Sequence, residues 1–561
     1  MTPLSISPAA GLSTPSSTNP ADAPDRAQAV RDYHQRSKHA LNRYAAGPET
    51  LDWDAQPDPF RRYAGAPVTL LPLPAEGDRT AWHSLFDPGA IAPHPAALES
   101  VGLLFELSFA LSAWKEHGPD RWAVRCTPSS GNLHPTEVYL LATGVPDLAD
   151  GLYHYVPREH GLELRARLPL VEPEAGQPRL LMGMSSIHWR EAWKYGERAF
   201  RYCQLDMGHA IGAMRYACAV LGWRTRALPL ADADIARLLG LDRDQDFGSA
   251  EHEEPEALYE LQLAPAQDAA AEFGVALSRA IWSGRANRLD ARPMYQWPAI
   301  DHVARATRRP GRSVSAPLPA LAPRFLLPSN TATAASLIRS RRSAQSFDRK
   351  ARMDAVTFWA LAAALMPRQA DGHATLPWDA WPAPARVHPV MFVHRVDGLA
   401  PGAYLLMRDQ ARLPALQAAL PDLAWQPVAA SPPHLPFYQL AGNPALAGTL
   451  RTLICHQAIG ADAMVVLALL AEFDAAIADG PWHYRDLLRE AGLIGQVLYL
   501  EAEAAGLRGT GIGCYFDDPV HELLGLHGTS WQVLYHFSVG LPVVDPRILT
   551  TPPYGPERTH A

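Results

Sequence analysis

Apolar residues recur at three- and four-residue steps in several stretches of the chain, a pattern typical of helices that bury one face. This spacing predicts helices over residues 25–45, 96–114, 202–221, 333–342 and 354–365, and the apolar run 463–473 is interpreted as a further short helix. Residues 138–141 and 151–156 are predicted as strands joined by the loop 143–150, and residues 226–230 as a strand-like turn. Helices around a few short strands predict an α+β fold.

The same succession of predicted elements occurs twice. Residues 208–241 and 492–526 each predict a helix, a glycine-marked break, a short strand and a second helix. The offset is 284 positions at two glycine pairs and 285 at a third: Gly208 and Gly492, Gly222 and Gly506, and Gly240 and Gly525. A His-Pro step also precedes predicted strands in both halves, at residues 134–135 and 388–389. Such repetition indicates duplication of a whole domain, and fused like domains usually reproduce an ancestral dimer.

Length and composition agree with two ordinary globular domains. A chain of 561 residues is too long for one core, and its hydrophobic and charged fractions, 48% and 19%, are average. The predicted division is a disordered tail (1–24), an N-terminal domain (25–305), a Pro-rich linker (306–330) and a C-terminal domain (331–550). The net charge of −8 gives no reason to expect a nucleic-acid or anionic-membrane partner.

The cysteines and the N-terminus indicate the compartment. The five cysteines are scattered without metal-ligand spacing, so neither a disulfide framework nor a zinc site is expected. Residues 1–20 lack the basic start and apolar core of a signal peptide, and no run approaches eighteen apolar residues. A cytoplasmic protein without a membrane anchor is therefore predicted.

The first candidate motif is a polar loop in the first half. It contains Pro128, Ser129, Ser130, Gly131 and Asn132, followed by the His-Pro step. Such a loop presents hydroxyl, amide and backbone groups that suit the polar edge of a planar heterocycle, although a plain turn before a strand is an equal alternative. The matching segment 381–389 keeps the His-Pro step but has lost every hydroxyl and the Asn. Because these polar groups are lost from the second copy alone, we expect them to have a role in the first copy only.

Two further motifs lie in the second half. Guanidinium and hydroxyl groups at a predicted helix end favour a phosphate site, although a lone charge run is more often a solvated helix end; the residues are Arg341, Arg342, Ser343 and Gln345. Closely spaced glycines around Gly511, Ile512 and Gly513 let a backbone approach a flat ligand. Neither motif has a counterpart in the first half. The losses are complementary, so the sequence predicts one intact composite site between the domains.

These motifs resemble the nitroreductase superfamily, through Arg-Arg-Ser-x-Gln-x-Phe, Pro-Ser-Ser-Gly-Asn-Leu-His-Pro and Gly-Ile-Gly. The resemblance spans roughly residues 95–260 and 333–545 and looks closest to the SagB-type azoline dehydrogenases, through Gly-Leu-Tyr-His-Tyr (151–155) and a Lys-Tyr pair, Lys194 and Tyr195. It implies two fused nitroreductase-like domains forming an intramolecular pseudo-dimer that replaces a homodimer, with one FMN between them. The Arg-Ser element would face the phosphate and ribityl chain, and the Ser-Ser loop and Gly-rich strand the ring. Gln345 stands where the superfamily often has a basic residue.

The expected function is an FMN-dependent oxidoreductase that oxidises a heterocycle or peptide-derived azoline. A base removes a carbon-bound proton in that reaction, and Lys194 and Tyr195 are the candidates. As sequence neighbours they would point about 100° apart on a helix, so only a non-regular backbone would aim both at one point. Two alternatives remain open: an NAD(P)H-dependent nitro or quinone reductase on the same site, and a non-catalytic recognition scaffold in a modification complex. The substrate, a small molecule or a modified peptide, the electron acceptor and the oligomeric state are not predicted.

Overall fold

The computed structural model describes residues 23–73, 78–87, 89–169, 178–263, 269–311, 332–367, 369–370, 373–381, 383–443 and 445–555. The sixteen α-helices of this part are α1 (Ala23–Arg36), α2 (Leu98–Ser108), α3 (His188–Tyr195), α4 (Ala199–Val220), α5 (Asp232–Leu239), α6 (Asp244–Phe247), α7 (Ala269–Leu277), α8 (Pro298–Ala306), α9 (Ala334–Ser340), α10 (Ala355–Ala364), α11 (Leu413–Ala419), α12 (Leu446–Leu453), α13 (Ile459–Asp462), α14 (Phe473–Asp479), α15 (His483–Ala504) and α16 (Asp517–Leu524).

The strands alternate with these helices. In chain order they are β1 (Tyr63–Ala64), β2 (Val68–Leu70), β3 (Leu111–His117), β4 (Asp120–Arg125), β5 (Thr136–Thr143), β6 (Gly151–Val156), β7 (Gly161–Arg167), β8 (Arg179–Ser186), β9 (Arg224–Ala227), β10 (Glu254–Gln262), β11 (Ile281–Trp282), β12 (Arg285–Ala286), β13 (Gln369–Ala370), β14 (His373–Ala374), β15 (Val387–Val393), β16 (Gly402–Leu406), β17 (Gln426–Pro427), β18 (Phe437–Gly442), β19 (Val465–Glu472), β20 (Arg508–Ile512), β21 (Trp531–Gly540) and β22 (Leu549–Thr551). The mixed α+β fold is confirmed.

Each half of the molecule is built on one large antiparallel sheet. The first has the order β11-β7-β6-β5-β8-β10-β9, with β2 also on β7, and the second has the order β17-β18-β16-β15-β19-β21-β20. The series β6-β5-β8-β10-β9 therefore corresponds strand by strand to β16-β15-β19-β21-β20. A shift of register interrupts the pairing of β10 with β8, and a shift also interrupts the pairing of the corresponding strands, β21 and β19. The two halves share one topology.

The long helices α4 and α15 cross between the two sheets, with no side chain separating them at the closest point. A Cβ built on Gly208 would lie 2.0 Å from the backbone oxygen of Arg489, and one on Gly492 would lie 2.0 Å from that of Leu205. These glycines are the pair that the sequence repeat matched. The backbones meet directly because both positions lack a side chain.

Both ends of the described chain cross to the opposite half. Helix α1 packs on α14, and Nε of Arg31 is 3.1 Å from Oδ1 of Asp474. Strand β22 forms a three-stranded sheet with β3 and β4 of the first half, and the hydroxyl of Tyr554 donates to the carbonyl of Pro157 at 2.7 Å. The predicted domain end at residue 550 therefore falls inside a strand that belongs to the other half.

Several predicted elements agree with the structure. The strands at 138–141 and 151–156 are β5 and β6; helix 202–221 is α4; the turn at 226–230 follows β9; and the helices at 333–342 and 354–365 are α9 and α10. Most of the predicted tail (1–24) and of the linker (306–330) lies outside the described residues.

Three predicted helices were wrong in whole or in part. Most of residues 463–473 form the central strand β19 (Val465–Glu472), whose side chains are buried except at Glu472. A short apolar run does not distinguish a buried strand from a helix. The helix predicted over 96–114 ends at Ser108, because the following residues pair with β4 and the distant β22. The helix predicted over 25–45 ends at Arg36.

Candidate functional site

A cavity of about 460 Å³ lies between the two halves. Its wall contains the Ser-Ser loop of the first half together with the Arg-Ser element and the Gly-rich strand of the second. All twelve residues that the sequence assigned to a cofactor line it: Pro128, Ser129, Ser130, Gly131, Asn132, Arg341, Arg342, Ser343, Gln345, Gly511, Ile512 and Gly513. Three motifs that are far apart in sequence thus converge on one space.

The Ser-Ser loop holds its shape with its own polar groups. Three of its residues, Gly131, Asn132 and His134, have φ angles of 60°, 60° and 53°. The backbone N–H of Ser130 donates to Asp206 on α4, and its hydroxyl does so at 2.9 Å, while the side-chain amide of Asn132 donates to the carbonyl of Ala123. The hydroxyls and amide therefore fix the backbone of the loop, and the backbone forms much of what it presents to the cavity.

The two arginines of the Arg-Ser element donate only to carbonyl groups. Arg341 is buried, and its Nε and Nη2 donate to the carbonyls of Cys126 and Arg125. Its Nη1 is buried with no hydrogen-bond partner among the described residues. Arg342 donates to the carbonyls of Arg339, Arg341 and Ser112. Neither guanidinium has a carboxylate partner within the described part of the chain.

This end of the cavity carries unbalanced positive charge. Lys115 and Arg508 also line it. Burial and the neighbouring Arg341 lower the pKa of Arg342 to about 10, while burial, Arg342 and Arg508 lower the pKa of Lys115. Glu503 offsets part of the charge at 3.7 Å from Arg508. These cations repel one another, and the repulsion adds to burial in lowering their pKa values. A bound dianion would relieve that repulsion through charge-assisted hydrogen bonds.

The glycines of β20 and the residue that follows it allow tyrosines to approach the backbone. A Cβ on Gly511 would lie 1.7 Å from the hydroxyl of Tyr535, and one on Gly513 would lie 2.1 Å from the ring of Tyr202. The sequence had assigned these glycines to the close approach of a ligand. The structure places both glycines in the cavity lining, with tyrosines of the wall against them.

Two buried carboxyl groups stand behind the Ser-Ser loop. Burial raises the pKa of Asp206 to about 7, and burial together with Asp206 raises the pKa of Glu191 well above its usual range. Hydrogen bonding to the Ser129 hydroxyl lowers the pKa of both groups, and Lys194 also lowers that of Glu191. Asp206 lines the cavity, so a carboxyl group able to hold or release a proton near neutral pH borders this space.

Lys194 and Tyr195 occupy the last turn of a regular helix, α3, so their side chains leave the helix in directions about 100° apart. Tyr195 lines the cavity, and its hydroxyl lies 2.5 Å from where a Cβ on Gly131 would be. The half-buried ammonium of Lys194 is 5.4 Å from the Tyr195 ring and 5.5 Å from that of Trp53. Burial lowers the pKa of Lys194, and Glu191 opposes that shift. The lysine is next to the cavity wall and outside the residues that line it.

Sequence reasoning missed several residues of the wall. They include Asp206 and His209 on α4, Tyr499 on α15 and Tyr535 on β21. Asp206 had a detectable signal, because the repeat offset of 284 aligns it with Glu490 and an acid stands in both copies. The tyrosines had none, since an aromatic residue inside an apolar pattern is usually core.

The corresponding place in the other half is filled. The short 3₁₀ helix Trp378–Ala380 packs on β9, the counterpart of β20, and the carbonyl of Ala380 accepts from the Tyr259 hydroxyl at 3.1 Å. Glu490 forms a buried ion pair with Arg408, whereas Asp206 has no cationic partner among the described residues. The two copies thus differ in the room left for a ligand, and in whether the buried acid has a cationic partner.

Within the described residues, no group of His, Cys, Asp and Glu has the arrangement of a metal site. No helix there combines the length and the apolar character needed to cross a membrane.

Comparisons with known proteins were made for the whole chain. The crystal structure of a putative nitroreductase from Anabaena variabilis ATCC 29413 superposes with a TM-score of 0.63 at 22% identity, over 92% of this chain and 99% of that one. A putative nitroreductase of Methanocaldococcus jannaschii is 23% identical over 120 residues, 19% of this chain and 58% of that protein's length. A chain of the E. coli microcin synthetase McbBCD complex with truncated pro-MccB17 bound has a TM-score of only 0.24. No family model matches. The chain has a nitroreductase-like fold.

Proposed function

We propose that the protein is an FMN-dependent oxidoreductase with one composite flavin site between its two halves. The observation that carries this proposal is the convergence of the three motifs on a single cavity, one end of which carries an excess of positive charge. The nitroreductase-like fold adds support.

The residues around the cavity fit the parts of FMN. Arg341, Arg342 and Ser343 suit the phosphate, because Arg341 Nη1 is a buried donor in need of an acceptor. Gln345, without charge, suits the ribityl hydroxyls. The Ser-Ser loop and the aromatic wall suit a flat ring system. When bound, FMN supplies two-electron hydride chemistry, and the protein holds and orients it.

The substrate class follows the SagB-type resemblance. We propose a two-electron dehydrogenation of a heterocycle or peptide-derived azoline, with Lys194 and Tyr195 assisting removal of a carbon-bound proton. Tyr195 faces the cavity and Lys194 adjoins its ring, so the pair can act from one side of the space. The lowered pKa of Lys194 favours its neutral form, which is the form that accepts a proton.

Replacing Lys194 tests that assignment. Lys194→Ala should abolish oxidation of azoline-containing peptides, measured as the loss of two hydrogen atoms from the peptide by mass spectrometry, while the flavin content stays unchanged because Lys194 lies outside the cavity lining. Lys350→Ala, at an exposed position, serves as the matched control. Undiminished oxidation by the Lys194 variant would remove this residue from the mechanism.

The fused halves are proposed to descend from one duplicated domain and to replace a homodimer. The shared sheet topology and the facing glycines of α4 and α15 support this origin. Two ion pairs between the halves add support: Arg201 with Asp517, and Arg485 with Asp232. They occupy equivalent positions, because the repeat offsets relate Arg201 to Arg485 and Asp232 to Asp517. Since the second place is filled, one FMN per chain is expected.

The visible absorption spectrum of purified protein, with released flavin quantified against chain concentration, tests the cofactor and its stoichiometry. We expect about one FMN per chain. The double variant Arg341→Ala/Arg342→Ala should lose at least about tenfold in FMN affinity, the value of one charge-assisted contact or more, while exposed Arg349→Ala should not. Two FMN per chain would contradict the single site.

The same preparation decides between the alternatives. Rapid bleaching of the flavin by NADPH without peptide would favour the nitro or quinone reductase. No flavin uptake, even after addition of FMN, would exclude the enzyme and leave the recognition scaffold.

A further inference from the structure

Two cysteines that are 59 positions apart meet beside the cavity. Cys514 follows β20 and lines the cavity, and Cys455 lies in the loop after α12. Their Sγ atoms are 2.7 Å apart, and an S–S bond of about 2.05 Å requires only a small further approach. Both residues are partly exposed, whereas Cys126, Cys203 and Cys218 are buried.

Hydrogen bonds between the two segments hold the two cysteines close together. The N–H of Phe516 donates to the carbonyl of Leu453 at 2.8 Å, and the side-chain amide of Gln457 donates to the carbonyl of Cys514 at 3.3 Å. Cys455 and the following His456 both have left-handed φ angles, 54° and 59°. Non-glycine residues adopt this conformation at a cost in energy, so the surrounding contacts impose it.

The surroundings favour a thiolate on Cys514. His39 hydrogen-bonds to this thiol, and its Nδ1 accepts from the N–H of Ala45 at 2.8 Å, which leaves the ring proton on Nε2. Neighbouring Cys455, then His39 and Arg198, lower the pKa of Cys514, while the pKa of Cys455 is raised. Other polar or charged groups close to the pair are Tyr44, Tyr195, Tyr202 and Asp517. By contrast, burial raises the pKa of Cys126 to about 11 and that of Cys218 to about 12.

We propose that Cys455 and Cys514 form a redox-active dithiol that exchanges with small organic disulfides at the edge of the cavity. The Cys514 thiolate attacks one sulfur of the disulfide R–S–S–R, which gives a mixed disulfide and releases RS⁻. The Cys455 thiol then loses its proton and attacks Sγ of Cys514, so that the intramolecular S–S bond forms and the second RS⁻ leaves. The two cysteine protons end on the two released thiols. Two protein thiols are oxidised and one disulfide is reduced.

Thiol counting on the full-length protein tests this exchange without any need for flavin. The chain is incubated under native conditions with oxidised glutathione, and the remaining thiols are titrated with and without denaturant. We expect two of the five thiols to be lost, a mass lower by two hydrogen atoms, and a Cys455–Cys514 cross-link in the peptide map. Stable glutathione adducts without ring closure, or no reaction at either cysteine, would overturn the proposal.

Single variants assign the two roles. Cys455→Ser should accumulate the glutathione mixed disulfide on Cys514, whereas Cys126→Ser should still close the intramolecular bond like the wild-type chain. A Cys455→Ser protein that never acquires glutathione would contradict Cys514 as the attacking thiol. Should that variant fail to fold, the wild-type peptide map alone still decides whether the bond forms.

Discussion

At the scale of single residues, the site depends on charged groups that are buried without a full complement of partners. Among the residues that the structure describes, Nη1 of Arg341 has no acceptor and the Arg342 guanidinium donates only to carbonyl groups. Asp206 is buried next to Ser129 and Ser130. Buried groups of this kind destabilise a fold unless a ligand or a function compensates. They are therefore a better guide to this site than the exposed charges.

Asp206 should make stability depend on pH. Its pKa is 3.8 in the unfolded chain and about 7 in the folded one, so the folded state holds the proton longer and stability falls as the pH rises from 4 to 7. Above pH 7, where Asp206 is ionised in both states, this difference lowers the free energy of unfolding by about 4 kcal/mol. Asp206→Asn removes it, since the amide oxygen still accepts from Ser130. The melting temperature of the variant relative to the wild type should rise by a few °C between pH 5 and pH 8.

The comparison with wild type cancels the titration of all other groups. A variant whose relative melting temperature is the same at both pH values would show that Asp206 is ionised in the folded protein. Flavin released at each pH should be measured in parallel, because a bound cofactor adds its own stabilisation.

At the scale of elements, the crossing of α4 and α15 joins the halves by direct backbone contact. Burial of the whole of α4 leaves no room for adjustment, since every residue from Ala199 to Val220 is buried. Because the two backbones are closely packed, an atom added at their crossing would force the helices to move.

Gly208→Ala should therefore be severely destabilising. Its Cβ would lie 2.0 Å from the Arg489 oxygen and 2.8 Å from the Leu493 nitrogen, both backbone atoms. We expect a loss of at least about 3 kcal/mol, measured by chemical denaturation and soluble yield. Gly448→Ala is the matched control in helix α12, where a Cβ meets nothing within 4 Å; it should leave stability unchanged or raise it by up to about 1 kcal/mol. Equal effects of the two substitutions would contradict the direct backbone contact.

At the scale of the whole molecule, each half contributes to the cavity and each chain end crosses to the other half. Arg198 and Arg201 of the first half pair with Asp517 of the second, all three being buried. Arg485 of the second half pairs with Glu254 and Glu256 of the first. Removing one partner of such a buried pair costs about 3–5 kcal/mol, so these groups make the two halves one unit.

If the fused halves replace a homodimer, as proposed, the chain should be monomeric. Light scattering coupled to size exclusion should give a mass close to the 61.2 kDa of one chain. The measurement is repeated with and without added FMN, because the proposed site is completed within one chain. A mass of about twice that value would show that the intramolecular interface does not replace the homodimer.

The sequence by itself predicted the repeated order of elements and the three motifs that line the cavity, because each is encoded in a local pattern that can be compared with its own second copy. Tertiary structure decided the rest. Val465–Glu472 form a strand because β15 and β21 flank them, which no local periodicity records. Likewise Cys455 meets Cys514, and Asp206 meets Ser129, only through folding, since contacts between residues that are distant in the chain leave no trace in spacing or composition.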